Sequence, residues 1–471
     1  MKRISLLFCL IAATGTIATV SVFPVSAMKP VVTPDLPLTP PAADARTASS
    51  FARSVAADSA GQVHVVYENT QNGRTYIHYR HSPDRGVSWG PEQRLSIDVG
   101  ISPSVAVAGM RVYVAWETVT PNPSGVQLAH SSNSGTTWSS PIRIAEGRQP
   151  CIAVSGATLH LVGAMAGDSE MRVFYRSSVD EGCSWETEQV LSGSGKAAGT
   201  PSIAVAGTLI VMAYVDTPDG NEEEYVRIST DTGQTWGKEI RLTKNRLGSG
   251  PPSVAVAGQT VHIAWADQKA NGDDLSDAER QLDEIMRLIG LSFTSESIRK
   301  TQAGVFDTEA LQARIEHKRQ QVQAAASIWG ARGGDPLQIG AMLREVDRIV
   351  KTATNEWDIY YRRSEDAGKT WGNEMRVTDT PGASRQASIG ASGDEVRLVW
   401  SDDRDGAPAL YHTTSVDEGR TWTRPARVTD AASVAVNPSV AVLPRTAHLV
   451  WSDTLSGRSQ VYFKRMVNEG E

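Results

Sequence analysis

Cysteine is scarce in this chain, three residues in 471, and that scarcity excludes a small scaffold stapled by disulfides. Cys9 falls inside an apolar leader, which leaves only Cys151 and Cys183 to pair. Charge of one sign is equally modest. Lys and Arg number 46 against 53 Asp and Glu, giving a net charge of −7 and no basic stripe, which argues against nucleic acid as a partner. Past the leader no apolar run approaches the roughly 20 residues of a membrane-spanning helix, so no span is expected in the mature chain. The nine histidines include none at metal-ligand spacing, and there is no Gly-x-Ser-x-Gly elbow and no phosphate-cradling glycine loop. No metal and no cofactor are expected. What the chain does have is 40 Gly and 12 Trp spread through short segments, the composition of many strands and tight turns.

Residues 1–27 read as a signal peptide. Lys2 and Arg3 form a basic start, an apolar stretch runs from Ile4 to Phe23, and Val25-Ser26-Ala27 supplies the small residues of a cleavage site. Cleavage near Ala27 would deliver the chain to the periplasm or the exterior; a retained membrane anchor is the alternative. An oxidising compartment favours a disulfide, but the repeat register described next puts Cys151 on an inner strand and Cys183 in a turn at the opposite end of the same unit. That separation exceeds the reach of a disulfide.

One octapeptide organises the rest. Ser82-Pro83-Asp84-Arg85-Gly86-Val87-Ser88-Trp89 returns at Ser131–Trp138, Ser178–Trp185, Ser229–Trp236, Ser364–Trp371 and Ser415–Trp422, with Trp-to-Trp intervals of 49, 47, 51, 135 and 51 residues. Asn133 replaces the Asp in the second copy. Each box is embedded in a larger unit: a Pro/Ser-led strand such as Pro103–Gly109, a second ending in an aromatic such as Val112–Trp116, a third such as Val173–Arg176 and a fourth such as Glu239–Thr243. One four-stranded meander per roughly 50 residues is a propeller blade. Ser and Asp of the box can bond turn amides, Gly can take a positive φ, and Trp can pack back under the turn, so the box is expected to be structural.

The octapeptide resembles the Asp-box, or bacterial neuraminidase (BNR) repeat, of the sialidase superfamily, and the resemblance covers nearly all of residues 51–471 apart from one insertion. It implies a β-propeller whose ligand site lies at the mouth of the central channel, and it admits both exo-sialidases and noncatalytic propellers. An exo-sialidase would need arginines for a sugar carboxylate, a Tyr–Glu nucleophile pair and an Asp acid/base. Such enzymes usually carry Phe/Tyr-Arg-Ile-Pro near the propeller start. Here Ser50-Phe51-Ala52-Arg53 lacks the Ile-Pro.

The fold expected is therefore all-β: a propeller of seven blades, with six as the alternative, and an α-helical insertion in the fifth unit. First strands begin near Ser54, Ser104, Cys151, Ser202, Ser253, Ser388 and Ser439, and the last unit ends after three strands at Val461–Arg465. Pro30-Val31-Val32-Thr33, within the Pro-rich segment 28–50, is the candidate to close the ring as its fourth strand, with Pro34 to Ala43 as a linker. The insertion, residues 268–356, reads as three helices. The first opens on the capping box Ser276-x-x-Glu279, the second at Asp307 with Leu311, Ile315, Val322, Ala326 and Trp329 on its apolar stripe, and the third on Asp335-Pro336. It leaves between the second and third strands, so it belongs on the face of the blade-joining loops and can shape a site or dock a partner.

Candidate site residues follow from register. Arg148, Arg246 and Arg385 lie in loops leading into units three, five and six, where three arginines could hold a carboxylate or sulfate; the alternative is that they bond loop carbonyls. Glu68, Glu117, Asp216, Asp267, Asp402 and Asp453 recur just after the second-strand aromatic, a repetition that favours a structural role over an acidic ring. Asp402-Asp403-Arg404-Asp405 is the densest charged loop. His64, His160, His262 and His448 occupy equivalent second-strand positions and read as packing. The reading is an exported propeller that binds a glycan or an exported protein partner on its loop face without catalysis. A divergent exo-sialidase or related glycoside hydrolase is the alternative.

Overall fold

The structure is a computed structural model that describes residues 31–48, 53–119, 125–166, 170–193, 197–244, 248–268, 272–288, 308–331, 335–354, 357–380, 382–430, 433–454 and 457–467. The leader with its cleavage site falls outside the described residues. Seven antiparallel sheets form a ring of blades. Their innermost strands are Val55–Ala57, Gly100–Ala108, Arg148–Ser155, Gly199–Ala206, Ser253–Ala257, Ser384–Ser392 and Ala435–Leu443. The seven blades bear out the expected count.

Packing explains the sequence pattern of each blade. The second strand lies between two neighbouring blades, so both of its faces are covered and it reads as a continuous apolar run: all eight residues of Leu209–Asp216 are buried. The inner strands converge on the axis, where only small side chains fit, and Ala57, Ala106, Ala153, Ala204, Ala255, Gly390 and Ala441 border an axial cavity of about 250 Å³. In five blades the inner strand starts earlier than its sequence pattern indicates. A bulge places Ser102, Gln149, Thr200, Gln386 and Asn437 at φ between +47 and +59°, and pairing resumes at the serine or cysteine two residues on.

The ring is closed by the chain's own start. Val31 and Val32 pair with Val467 and Met466, and Leu36 and Pro37 pair with Phe463 and Tyr462. Asp35 sits between these two short strands, 2.5 Å from Nζ of buried Lys464, which also donates to the Val428 carbonyl at 2.6 Å. Residues 34–43 are therefore not a linker: Leu38 is buried in the seam with blade one, because the last blade would otherwise leave an apolar outer edge unpaired.

Every box makes the same turn. In the first, Ser82 Oγ accepts from Gly86 N at 2.8 Å, Asp84 Oδ1 accepts from Ser88 N at 2.8 Å, and Trp89 Nε1 donates to the Gly86 carbonyl at 3.2 Å. The hydroxyl bond from Ser88 and the backbone bonds of the turn hold the Asp84 carboxyl down at about 2. The Trp reaches further than the turn beneath it and meets an aromatic of the preceding blade edge-on. Trp89–Phe463, Trp138–Tyr79, Trp236–Tyr175 and Trp422–Tyr361 have ring centroids 4.8–4.9 Å apart. The tyrosines are fixed in turn by His64, His160 and His262, whose Nδ1 atoms lie 2.7–2.8 Å from the hydroxyls. Burial holds these imidazoles neutral, His160 and His262 at about 4. Cys151 is buried and Cys183 exposed, and both are free.

The insertion leaves after Thr260–Gln268 and rejoins at Trp357–Ser364. Its helices are α1, Gly272–Leu288, α2, Thr308–Ala331, and α3, Pro336–Thr354. Helix α1 begins ahead of the Ser276 box, and Asp335 caps α3 by accepting from Leu337 N at 2.9 Å. Leu282, Met286, Ile315, Val322, Val346 and Ile349 form a core of their own. Trp329, assigned to the apolar stripe, instead stands exposed with Ile328 and Leu337 near the α2–α3 turn, because α2 has outrun the core by that point.

Two turn glycines supply a test of this packing. Gly207, between the first and second strands of blade four, has φ +61° and open space where a methyl group would stand. The box glycine Gly233 has φ +85°, and there a methyl group would overlap Tyr175 Oη. Gly207→Ala is expected to cost only the backbone strain, about 1–2 kcal/mol. Gly233→Ala should cost roughly 3 kcal/mol or more, because it also displaces the tyrosine between two blades. Urea unfolding of the two variants measures the difference.

Candidate functional site

The face of the blade-joining loops is built around the five bulge residues. A non-glycine residue at positive φ costs about 1–2 kcal/mol, and hydrogen bonds between neighbouring blades hold four of the five. Glu68 Oε1 accepts from Ser102 N at 2.8 Å, Glu117 Oε2 from Gln149 N at 3.1 Å, Gln149 Oε1 from Thr200 N at 3.1 Å, and Gln386 Oε1 from Asn437 N at 2.9 Å. These bonds stitch one blade to the next around the mouth of the axis. The acids that recur after the second-strand aromatic do this work and similar work within blades. Asp267 accepts from Ser249 Oγ at 2.9 Å, Asp402 from Ser384 Oγ at 2.7 Å, and Asp453 from Ser433 Oγ. Asp216 accepts from Thr217 N at 2.7 Å. Burial pushes Glu117 and Asp216 up, yet both remain committed to backbone amides.

The densest charged loop neutralises itself. Arg404 reaches Asp402 through Nε at 2.8 Å and Nη2 at 2.5 Å, and its guanidinium lies 4.2 Å over the Tyr411 ring. Burial would raise the Asp402 carboxyl, but the bonds from Arg404, Ser384 and Trp400 outweigh it and hold the group low. Asp405 takes Tyr411 Oη at 2.5 Å and Arg427 at 2.8 Å, while Asp403 accepts from Ala383 N. Asp402 and Arg404 are thus an internal pair and present no acid/base to a ligand.

The three candidate arginines fare differently. Arg148 is exposed in blade three, with Nη2 2.8 Å from Met171 Sδ. Arg385, in blade six, stacks 5.1 Å from the centroid of Trp357, the residue at which the insertion rejoins the propeller, and burial lowers its pKa. Arg246 lies outside the described residues. Arg148 and Arg385 engage different partners in blades three and six and do not form one cluster with each other.

A fourth arginine is better placed. Arg53, at the head of the first inner strand, is the one charged residue among those lining the axial cavity. Its Nη2 crosses to the Val254 carbonyl of blade five at 3.4 Å, and no carboxylate of the described residues pairs with it. It is a half-buried guanidinium at the loop-face end of an uncharged cavity. The sequence signal for it was position alone, since Arg53 directly precedes the first inner strand.

Tyr–Glu pairs also exist, but in the wrong place. Tyr67 donates to Glu92 at 2.7 Å and Tyr214 donates to Glu239, yet both tyrosines are fully buried between blades and burial pushes their hydroxyls far up. Neither can reach a substrate. Among the described residues no three His, Cys, Asp or Glu side chains gather as a metal-ligand set. No described helix is long and apolar enough to cross a membrane.

No protein-family profile matches the sequence, and no curated protein is similar to it. Solved structures are similar in fold. A PL25 ulvan lyase superposes with a TM-score of 0.54 at 12% identity, over 92% of this chain and 95% of that one. Polysaccharide lyase Uly1 gives 0.51 at 8% identity, over 90% and 91%. The Hadza microbial sialidase Hz136 gives 0.41 at 13% identity over 89% of this chain and 65% of that one, too low to add to the comparison. What is shared is the propeller.

The committed state of Asp402 predicts a stability phenotype. Asp402→Ala strands Arg404 and removes the partner of Ser384, and should lower the unfolding free energy by roughly 2–4 kcal/mol in urea titration. A variant as stable as the wild type would return Asp402 to the pool of available acids.

Proposed function

We propose that this chain is an exported, glycan-binding propeller that takes an acidic sugar at the loop-face mouth of its axial cavity and does not cleave it. The observation that carries this reading is Arg53, a guanidinium with one long carbonyl bond and no anionic partner among the described residues, held at the end of an otherwise uncharged cavity. A sugar carboxylate or sulfate would supply the charge-assisted bonds it lacks. Arg385 over Trp357 adds a cation and an aromatic face on the same side of the ring, a pairing suited to an anionic sugar ring. The absence of turnover follows from the commitments already described: the acids serve the backbone and the Tyr–Glu pairs are buried. The six Asp-boxes support a place in the sialidase superfamily, and the leader 1–27 supports export. Solved propellers of similar fold include enzymes named for polysaccharide cleavage, which is consistent with a carbohydrate ligand.

The test is binding to a panel of uronate-containing, sulfated and sialylated oligosaccharides, with product analysis on the same mixtures. Wild type should bind at least one acidic glycan, and Arg53→Ala should weaken that binding about tenfold or more, the worth of a charge-assisted contact. Arg85→Ala, in a box turn on the opposite face, should leave it unchanged. Released sialic acid or an unsaturated sugar product would establish the hydrolase or lyase alternative instead. Capture of an exported protein that depends on Trp329 and not on Arg53 would place the ligand on the helical insertion.

A further inference from the structure

The third strand of each blade offers an internal comparison, because its register against the second strand is the same in all seven. Five residues before the box serine, or at the matching register in the last blade, stand Ile77, Val126, Val173, Ile359, Leu410 and Val461. All six are aliphatic and fully buried, since the position packs into the seam between blades. Blade four breaks the rule. Its residue is Glu224, opposite Val215, and it is as deeply buried as the aliphatics it replaces.

Nothing compensates this carboxyl. Both oxygens are buried and neither has a hydrogen-bond partner. Its surroundings are acidic: Asp267 faces it from the second strand of blade five, and Glu222 and Glu223 flank it on its own strand. Arg241, on the outer strand of blade four, is occupied by Glu223 and Asp219, and Arg376, in blade five, is occupied by Asp358 and Asp379. Asp216 on the second strand of blade four adds a further negative charge beside Glu223. Polar imbalance extends along the seam: Trp265 Nε1 is buried without a partner, where Trp400 and Trp451 donate to Asp402 and Asp453. An ionised carboxylate in this position would be both desolvated and repelled, whereas a neutral one is close in size to the leucine of blade six.

The location gives the anomaly a consequence. Asp267 is followed at Gln268 by the departure of the helical insertion, so the seam holding Glu224 is also the root of that module. We infer that Glu224 makes the seam between blades four and five proton-dependent: closed while the carboxyl is neutral, and loosened at the root of the insertion when it ionises. Burial and the facing acids raise the carboxyl well above its usual range. For an acid raised in the folded state, stability is full below the unfolded pKa and declines as pH rises towards the folded one. The buried histidines act in the opposite direction, but they are common to wild type and variant and cancel in a comparison.

Hydrogen exchange of the full chain, followed for Glu223–Ser229 and Thr260–Gln268 at pH 5.5 and pH 7.5, tests this against Glu224→Leu and Glu224→Gln. Comparison at one pH removes the intrinsic pH dependence of exchange. Wild type and variants should agree closely at pH 5.5. At pH 7.5 the seam of wild type should open more than in either variant, by up to about tenfold for each pH unit over which the unfolded carboxyl is ionised and the folded one is not. Equal opening in wild type and Glu224→Gln at both pH values overturns the inference. Restoration of wild-type protection at pH 7.5 by millimolar calcium, without effect on Glu224→Leu, also overturns it, and marks a cation site in place of a proton site.

Discussion

A propeller has no stabilising interaction that is independent of ring closure, and here closure rests on two short strands at the start of the chain. Val31–Val32 and Leu36–Pro37 cover the outer edge of Gln460–Val467, and the buried Lys464–Asp35 pair fixes the turn between them. The segment continues into Ala45–Arg46, which joins the sheet of blade one. Thr47 then bonds Ser452 and the Asn437 carbonyl in blade seven. The chain thus crosses the last seam twice, once at its rim and once beside the axis. Open that seam and the apolar faces of blades one and seven are left without partners.

The other six seams repeat one solution. On the box face an aromatic of one blade receives the glycine and tryptophan of the next box, and on the loop face a carboxylate or amide receives a bulge amide. Acids that look available in the sequence are consumed by this second task. The same geometry brings seven strands of small residues together at the axis and leaves room there for a single long side chain, Arg53. Chemistry on the loop face is therefore a remainder, made of what the seams do not use.

Legibility from sequence follows the same division. The boxes, the blade count and the position of the insertion are local or periodic, and residue spacing encodes them directly. The closing strand was legible because an unfinished last unit demands a fourth strand, but the burial of Leu38 was not, since a proline-rich segment reads as solvated whatever it packs against. Arg53 could not be distinguished from other loop arginines, because its place at the axis depends on the ring as a whole. The charged loop at Asp402 was conspicuous for its density, although density of both signs is what lets it neutralise itself. Glu224 was visible in principle: the third strands aligned on their boxes show one acid among aliphatics.

The claim on which the rest depends is that the first described residues close the ring. Deleting residues 31–37 and following hydrogen exchange tests it most directly. The account predicts that Gln460–Val467 and Val63–Gln71 lose their protection together while the third and fourth blades keep theirs longest. Unchanged protection of Gln460–Val467 in the truncated chain would contradict it.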